Sequence, residues 1–208
     1  MTIFITDGFI TKLPVSFGGI SATVEKASFL RCYYKLKDIL QSYPDIKPIV
    51  IISTSYSVKD KFGLLPLGYL EKKKKHLERK FLKEMEKGMR KILKLVNKKE
   101  GRLAISSIIP LPKLVSPIFT TYGEVFRKFC LEVVESSNEL IWDFNNDNEV
   151  TTPNTKLCVE HKSDKYPNSD QKKVKIGCFQ QDMIHLKDSV EKKCGQEIFR
   201  VFRLLEEN

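Results

Sequence analysis

Asp182 and His185, in the block Asp182-Met183-Ile184-His185-Leu186, are the pair whose types and spacing suit acid–base chemistry. A carboxylate three residues ahead of an imidazole shares one loop with it. The Asp can then hold one ring nitrogen and leave the other to work as a base. The same pair also serves as a structural entry to a helix, and it becomes a catalyst only beside a nucleophile. Cys32, Cys130, Cys158, Cys178 and Cys194 are odd in number and widely spaced, with no C-x-x-C pair. That pattern fits reduced thiols in cytoplasm or nucleus, not a disulfide framework or a zinc site. No metal and no cofactor is expected.

A second kind of chemistry is carried by cations. The 208 residues have a formal charge of +10. Eleven Lys, two Arg and five Glu between Tyr69 and Glu100 leave that segment at +8, so the rest of the chain is close to neutral. Lys72, Lys73, Lys74 and Lys75 are adjacent, and Arg79, Lys80, Lys83, Lys87, Arg90, Lys91 and Lys94 follow. Arg31, Lys35 and Lys37 form a second set, with Tyr33, Tyr34 and Tyr56 as candidates for stacking on unpaired bases. Lysines supply point charges and arginines planar forks for a phosphate backbone. The plain alternative is a solvated helix face with no ligand.

These residues need elements to position them. Leu70, Leu77, Phe81, Met85, Met89, Ile92, Leu93 and Val96 recur at spacings of three, four or seven, which predicts one long amphipathic helix over 69–100. Gly88 weakens its middle by about 1 kcal/mol. Short strands are predicted at 2–6, 13–17, 48–54, 102–109 and 139–144, and helices at 22–43, 122–137 and from 188 onward. Asp188 and Glu191 make a capping-box-like start to the last helix. Strands separated by helices imply βαβ units. The predicted fold is a three-layer α/β/α, flavodoxin-like sandwich with a five-stranded, mainly parallel sheet in a single domain spanning 1–208. Residues 145–181 are polar, lack a sustained period and are read as a mobile loop over the strand ends. A run of 18 apolar residues is absent, so no membrane insertion is expected.

The order of these blocks resembles the SGNH (GDSL-type) hydrolase family across nearly the whole chain. PIVIIST looks like the family's third strand, RLAISSIIPLP like its v-x-S-x-I-x-P strand, and IWDF like the strand before the long loop. The resemblance implies that Asp182 and His185 are the acid and base of a Ser-His-Asp triad. It also implies that the glycine block SFGGIS supplies an oxyanion donor, with Gly19 the better match. Two departures disarm it. Where the family has G-D-S, this chain has Thr6-Asp7-Gly8, so the nucleophile is missing. Where the family has G-x-N-D, it has Ser53-Thr54-Ser55-Tyr56-Ser57, without the Asn. Ser16, Ser21 and Ser55 are the other hydroxyls near these blocks.

A degenerate group within that family keeps the fold, lacks the catalytic residues and binds RNA in insect germ plasm. Size, charge and the missing Ser give this chain the same profile. The expectation is a non-catalytic domain that binds RNA, single-stranded or messenger, in a cytoplasmic ribonucleoprotein granule with protein partners. A nuclear site stays open. A protein-interaction scaffold and a residual esterase built on Asp182 and His185 are the alternatives, and Asp182 and His185 also leave room for a relative among the esterase-like domains of retroelements.

Overall fold

In the computed structural model the described residues are 1–14, 17–26, 28–55, 57–62, 67–115, 123–159 and 175–207. Four parallel strands form the sheet: β1 (Thr2–Thr6), β2 (Ile20–Thr23), β3 (Ile49–Ser53) and β4 (Arg102–Ile105), in the order β2-β1-β3-β4. β1 and β3 are buried along nearly their whole length, as Val/Ile-rich strands covered on both faces should be. The registers are in phase, with Ile3 beside Ile20 and Val50, and Val50 beside Leu103.

Helices α1 (Phe29–Ser42), α2 (Ser57–Phe62), α3 (Leu67–Asn97), α4 (Pro112–Val115), α5 (Gly123–Asp147) and α6 (Asp188–Glu207) complete the fold. α1, α3 and α5 follow consecutive strands, and right-handed crossovers set them side by side on one face. α6 returns across the other, where Phe202 meets Phe17 and Phe17 meets Phe4 at ring separations of 5.6 and 6.3 Å. Ser28 caps α1 by accepting the Arg31 N–H at 3.3 Å. Gly88 has a packing reason to be in α3. A Cβ there would lie 2.6 Å from Phe29 Cβ and 2.8 Å from the Leu30 nitrogen, so α1 crosses α3 at this point.

Several expectations are corrected. The second strand is Ile20–Thr23; of the expected 13–17, residues 13, 14 and 17 are not in a strand and 15–16 lie outside the described residues, and α1 starts seven residues later than position 22. Residues 139–144 are not a strand but the last turns of α5. The apolar residues Phe126, Phe129, Cys130, Val133, Val134, Ile141 and Phe144 form one continuous buried stripe at helical spacing. The fifth sheet position is taken instead by 150–153. There Thr151 bridges Ala104 in parallel, donating its N–H to the Leu103 carbonyl and accepting the Ile105 N–H. Among the described residues the sheet therefore has four full strands and a fifth reduced to a bridge. Of the polar stretch 145–181, residues 155–158 and 176–178 form short 3-10 turns, and 160–174 lie outside the described residues.

Candidate functional site

The carboxyl ends of the strands carry a band of hydroxyls. Thr6, Ser53, Thr54, Ser55, Ser57, Ser106 and Ser107 are all buried there. Ser57 Oγ donates to the Thr54 carbonyl at 3.2 Å, and Ser55 Oγ accepts the Ile109 N–H at 3.5 Å. The hydroxyls of Ser53, Thr54 and Ser106 have no hydrogen-bond partner among the described residues. Each such group costs about 1–3 kcal/mol, a cost a fold tolerates more readily at a site than in a plain core.

β1 ends at Thr6, and Asp7 and Gly8 follow as a tight turn. The Gly8 N–H donates to Thr6 Oγ1 and the Phe9 N–H to Asp7 Oδ1, both at 3.1 Å. Gly8 has φ of +87°, a conformation that only glycine adopts without strain. Behind the turn the Cys32 thiol is pushed up, first by burial and then by the Asp7 carboxylate, so it stays protonated. Of the other hydroxyls, Ser21 is exposed on β2 and Ser16 lies outside the described residues.

Asp182 and His185 meet as the spacing predicts. A hairpin over 178–187 carries them. It is closed by the Lys187 N–H on the Cys178 carbonyl at 2.9 Å and the Gln180 N–H on the His185 carbonyl at 2.8 Å. Met183 turns the tip with φ of +56°. Asp182 Oδ2 pairs with His185 Nδ1, while Oδ1 accepts the N–H groups of Ile184 and His185 at 3.0 and 2.9 Å. Burial, the largest single influence, pushes the Asp182 carboxyl up. The bonds from the His185 ring and the two N–H groups outweigh it and bring the group down to about 2. The carboxylate fixes the Nδ1 side of the ring, so base work would fall to Nε2. The first turn of α6 is docked beside the exit of β1. Glu191 Oε1 accepts the Thr11 N–H and hydroxyl, both at 2.8 Å, and the Lys12 N–H at 3.2 Å, while Asp188 pairs with Lys12. Glu191 thus ties α6 to the β1 exit as well as sitting in a cap-like motif.

The expected oxyanion donor is corrected. Gly19 precedes β2 and packs against Thr2, with a Cβ position 2.6 Å from the Thr2 carbonyl oxygen. It therefore sits at the amino end of the strands. Gly8 lies past the carboxyl end, beyond the about 13 Å that Thr2–Thr6 spans at the rise of a strand. The loop that does follow β2 at the carboxyl end is 24–28, which has no glycine.

The cations lie elsewhere. α3 buries Phe81, Met85, Met89, Ile92 and Val96 on one side. Lys72, Arg79, Lys83, Lys87, Arg90 and Lys94 run along the opposite side, all exposed, with Lys80 beside them. Residues 71–76 are exposed all round, including Lys74, two turns before Phe81 on the buried side. The first turns of α3, with the whole quartet 72–75, therefore overhang the core. Four adjacent cations there repel one another, and no acidic residue stands in the first turn. Some basic groups are already engaged. Arg90 donates Nε and Nη2 to Glu86 Oε1 at 2.9 and 2.7 Å, and Lys61 pairs with Glu84 at 3.1 Å. The stems of the row from Lys80 to Lys94 enclose a shallow groove of about 610 Å³.

The second predicted set is brought alongside. Arg31, Lys35 and Lys37 are exposed on α1, with Arg31 Nη1 donating to the Glu25 carbonyl at 3.1 Å. Half-buried Lys91 reaches over the Tyr33 ring at 5.2 Å, and Tyr33 contacts exposed Tyr34 at 5.1 Å. The Tyr33 ring thus sits beside α3, with exposed Tyr34 next to it on α1. Tyr56 lies outside the described residues. Two features escaped the sequence reading because distant residues build them. One is an open groove of about 980 Å³ between α5 and 152–156, where Glu139, Asp143, Asn154 and half-exposed Trp142 line the wall. The other is a cluster of Cys158, Cys178 and Cys194.

Solved structures now place the fold. A GDSL-like lipase from Bacteroides thetaiotaomicron is similar over 99% of this chain and 87% of its own, at 13% identity and a TM-score of 0.61. The acetyl xylan esterase AlAXEase covers 97% of this chain and 99% of its own, at 10% identity and a TM-score of 0.62. A member of the lipolytic G-D-S-L family from Veillonella parvula covers 97% of both chains, at 11% identity and a TM-score of 0.55. No family model and no curated protein matches the sequence. The chain has the α/β fold of SGNH (GDSL-type) hydrolases.

Proposed function

We propose that this chain is a non-catalytic SGNH-fold domain that binds RNA through the outward face of α3. The observation that carries the reading is the exposed cation row from Lys72 to Lys94, opposite a fully buried stripe and overhanging the core at its start. A bare lysine-rich face needs only enough charge to stay solvated. This one concentrates +8 of a net +10 and sets four like charges on adjacent residues, a repulsion that an anionic partner relieves. Exposed Tyr34 supplies a ring face for an unpaired base, so single-stranded RNA fits better than a duplex. Gly8 supports the non-catalytic half of the reading, because it has no side chain with which to form the acyl intermediate.

The finer version follows the C-terminal domain of the germ-plasm protein Oskar, an SGNH-like domain that binds RNA without the catalytic residues. In that version the ligand is messenger RNA and the setting a cytoplasmic granule with protein partners. The esterases and lipases named above do not speak for that likeness. Titration of a fluorescein-labelled single-stranded RNA should show saturable binding that Lys72–75 reversal to Glu weakens at least tenfold. Binding unchanged by that reversal refutes the reading.

The formed Asp182–His185 pair favours a second reading, a residual esterase with a nucleophile outside the β1 turn. It requires turnover of a small aryl acetate that His185→Ala abolishes. Equal rates for wild type and variant exclude it.

A further inference from the structure

The helix layer carries two complementary faces. α5 turns Glu132, Glu139, Trp142 and Asp143 to solvent, and α3 turns out Lys83, Lys87 and Lys94. Lys83 to Lys94 and Glu132 to Asp143 each run over 11 residues, about 17 Å of helix. Among the described residues none of these six charged groups is in an ion pair. Shape matches as well as charge. Trp142, the chain's only tryptophan, stands half-exposed on α5, with Glu139 one turn before it and Asp143 next to it. The shallow groove of about 610 Å³ on α3 is walled by the stems of its lysines. Such stems cover an apolar ring while their ammonium groups stay in water or over its face. Within one chain the two faces cannot meet, because α3 and α5 lie side by side and both faces point outward. The Ser136 hydroxyl donates to Glu78 Oε1 at 2.7 Å, and Arg90 reaches over the Phe144 ring at 6.0 Å. These two contacts show that the helices run the same way, and that 139–143 on α5 lie at heights between those of Glu78 and Arg90 on α3.

We infer that this layer is a self-association surface, on which α5 of one copy docks against α3 of a second copy of the chain. A two-fold axis parallel to the two helices and midway between them places α3 of each copy over α5 of the other. It also leaves every residue at its own height. Trp142 of each copy then enters the lysine-walled groove of the other, and Glu139 and Asp143 face Lys83 and Lys87. The contact is made twice and the dimer closes. An axis across the helices would instead set lysine row on lysine row, which like charge forbids. A bulky aromatic anchor in a groove supplies the energy of such a contact, and the flanking charges supply its register. Two chains of +10 repel at long range, so moderate salt favours the encounter while the local match decides its geometry. The dimer covers the cation row proposed for RNA, so each occupant excludes the other, but the inference itself needs no RNA.

The test follows the full chain, without RNA, by sedimentation velocity and by tryptophan emission over about a 100-fold range of concentration at about 0.15 M salt. Mass should rise from monomer to dimer and the emission should shift to the blue in step, since Trp142 is the sole reporter. Lys83→Glu with Lys87→Glu should weaken the dimer at least about tenfold, and so should Glu139→Lys with Asp143→Lys. Mixing the two double variants should restore it, because both contacts then pair opposite charges again. Trp142→Ala should weaken association while circular dichroism shows a folded chain. A monomer at every concentration overturns the inference, as does a dimer whose emission stays unshifted or a mixture of the double variants that fails to pair. Wild-type mass and emission decide the matter even if a variant does not fold. Failure here leaves the RNA reading standing, since that reading needs only the free cation row.

Discussion

The salt dependence of RNA binding can be worked out from the outward row of α3. Lys72 and Lys94 are 22 residues apart, which spans about 33 Å of helix. Six cations lie on that line: Lys72, Arg79, Lys83, Lys87, Arg90 and Lys94. Arg90 is engaged by Glu86, leaving five to meet phosphates. Each contact on single-stranded nucleic acid contributes about −0.7 to the slope of log affinity against log salt, so the wild-type slope should be about −3.5. Raising KCl from about 50 to about 200 mM should then weaken binding about 100-fold. Replacing Lys83, Lys87 and Lys94 by Ala leaves two contacts, a slope of about −1.4, and only about a sevenfold loss over the same range. Fluorescence anisotropy with one labelled RNA at four salt concentrations measures both slopes. A wild-type slope shallower than about −1, or a triple variant with the wild-type slope, would refute the assignment of this face.

Three further outcomes follow from the fold and the strand-end site. Gly88→Ala should destabilise the protein by about 1–3 kcal/mol, because overpacking against Phe29 and Leu30 outweighs the gain in helix propensity of about 1 kcal/mol; a urea midpoint at or above wild type contradicts the α1–α3 crossing. Gly8→Ser should cost about 1–2 kcal/mol in thermal denaturation through its left-handed backbone, since a Cβ there meets only Thr23 Cγ2 at an ordinary 3.4 Å. Asp182 titrates at about 2 when folded and at about 3.9 when unfolded, so its stabilisation is complete above the unfolded value and fades as pH falls through the folded one. Stability curves of wild type and Asp182→Asn should therefore converge between about pH 4 and about pH 2, and parallel curves would dispose of the Asp182–His185 bond.

Much of this architecture is legible locally. The PIVIIST run reads as a doubly buried strand because both faces of β3 are covered, and α3 reads as a helix because its apolar spacing never breaks. ELIWDF misleads for a physical reason. Ser137 and Asn138 look like a break before a new strand, yet each has a use inside α5. Ser137 Oγ donates back to the Val133 carbonyl at 2.6 Å, and the Asn138 side chain holds Ile108 by donating to its carbonyl at 3.0 Å and accepting its N–H at 2.7 Å. Only the tertiary partner reveals that these polar residues continue a helix. The glycine block misleads in another way. Motif spacing places Gly19 near a strand but cannot say at which end, and register with β1 decides it. Asp182 and His185 were readable because one turn of chain holds both. The open groove between α5 and 152–156 was not, because distant residues line it.

Lysine acetylation with a small reagent, read by peptide mass with and without bound single-stranded RNA, tests the central claim most directly. The account predicts that Lys72, Lys83, Lys87 and Lys94 lose reactivity on binding, while Lys12, Lys47 and Lys192 on other surfaces keep theirs. Protection confined to those other lysines, or reactivity along α3 that RNA leaves unchanged, would contradict it.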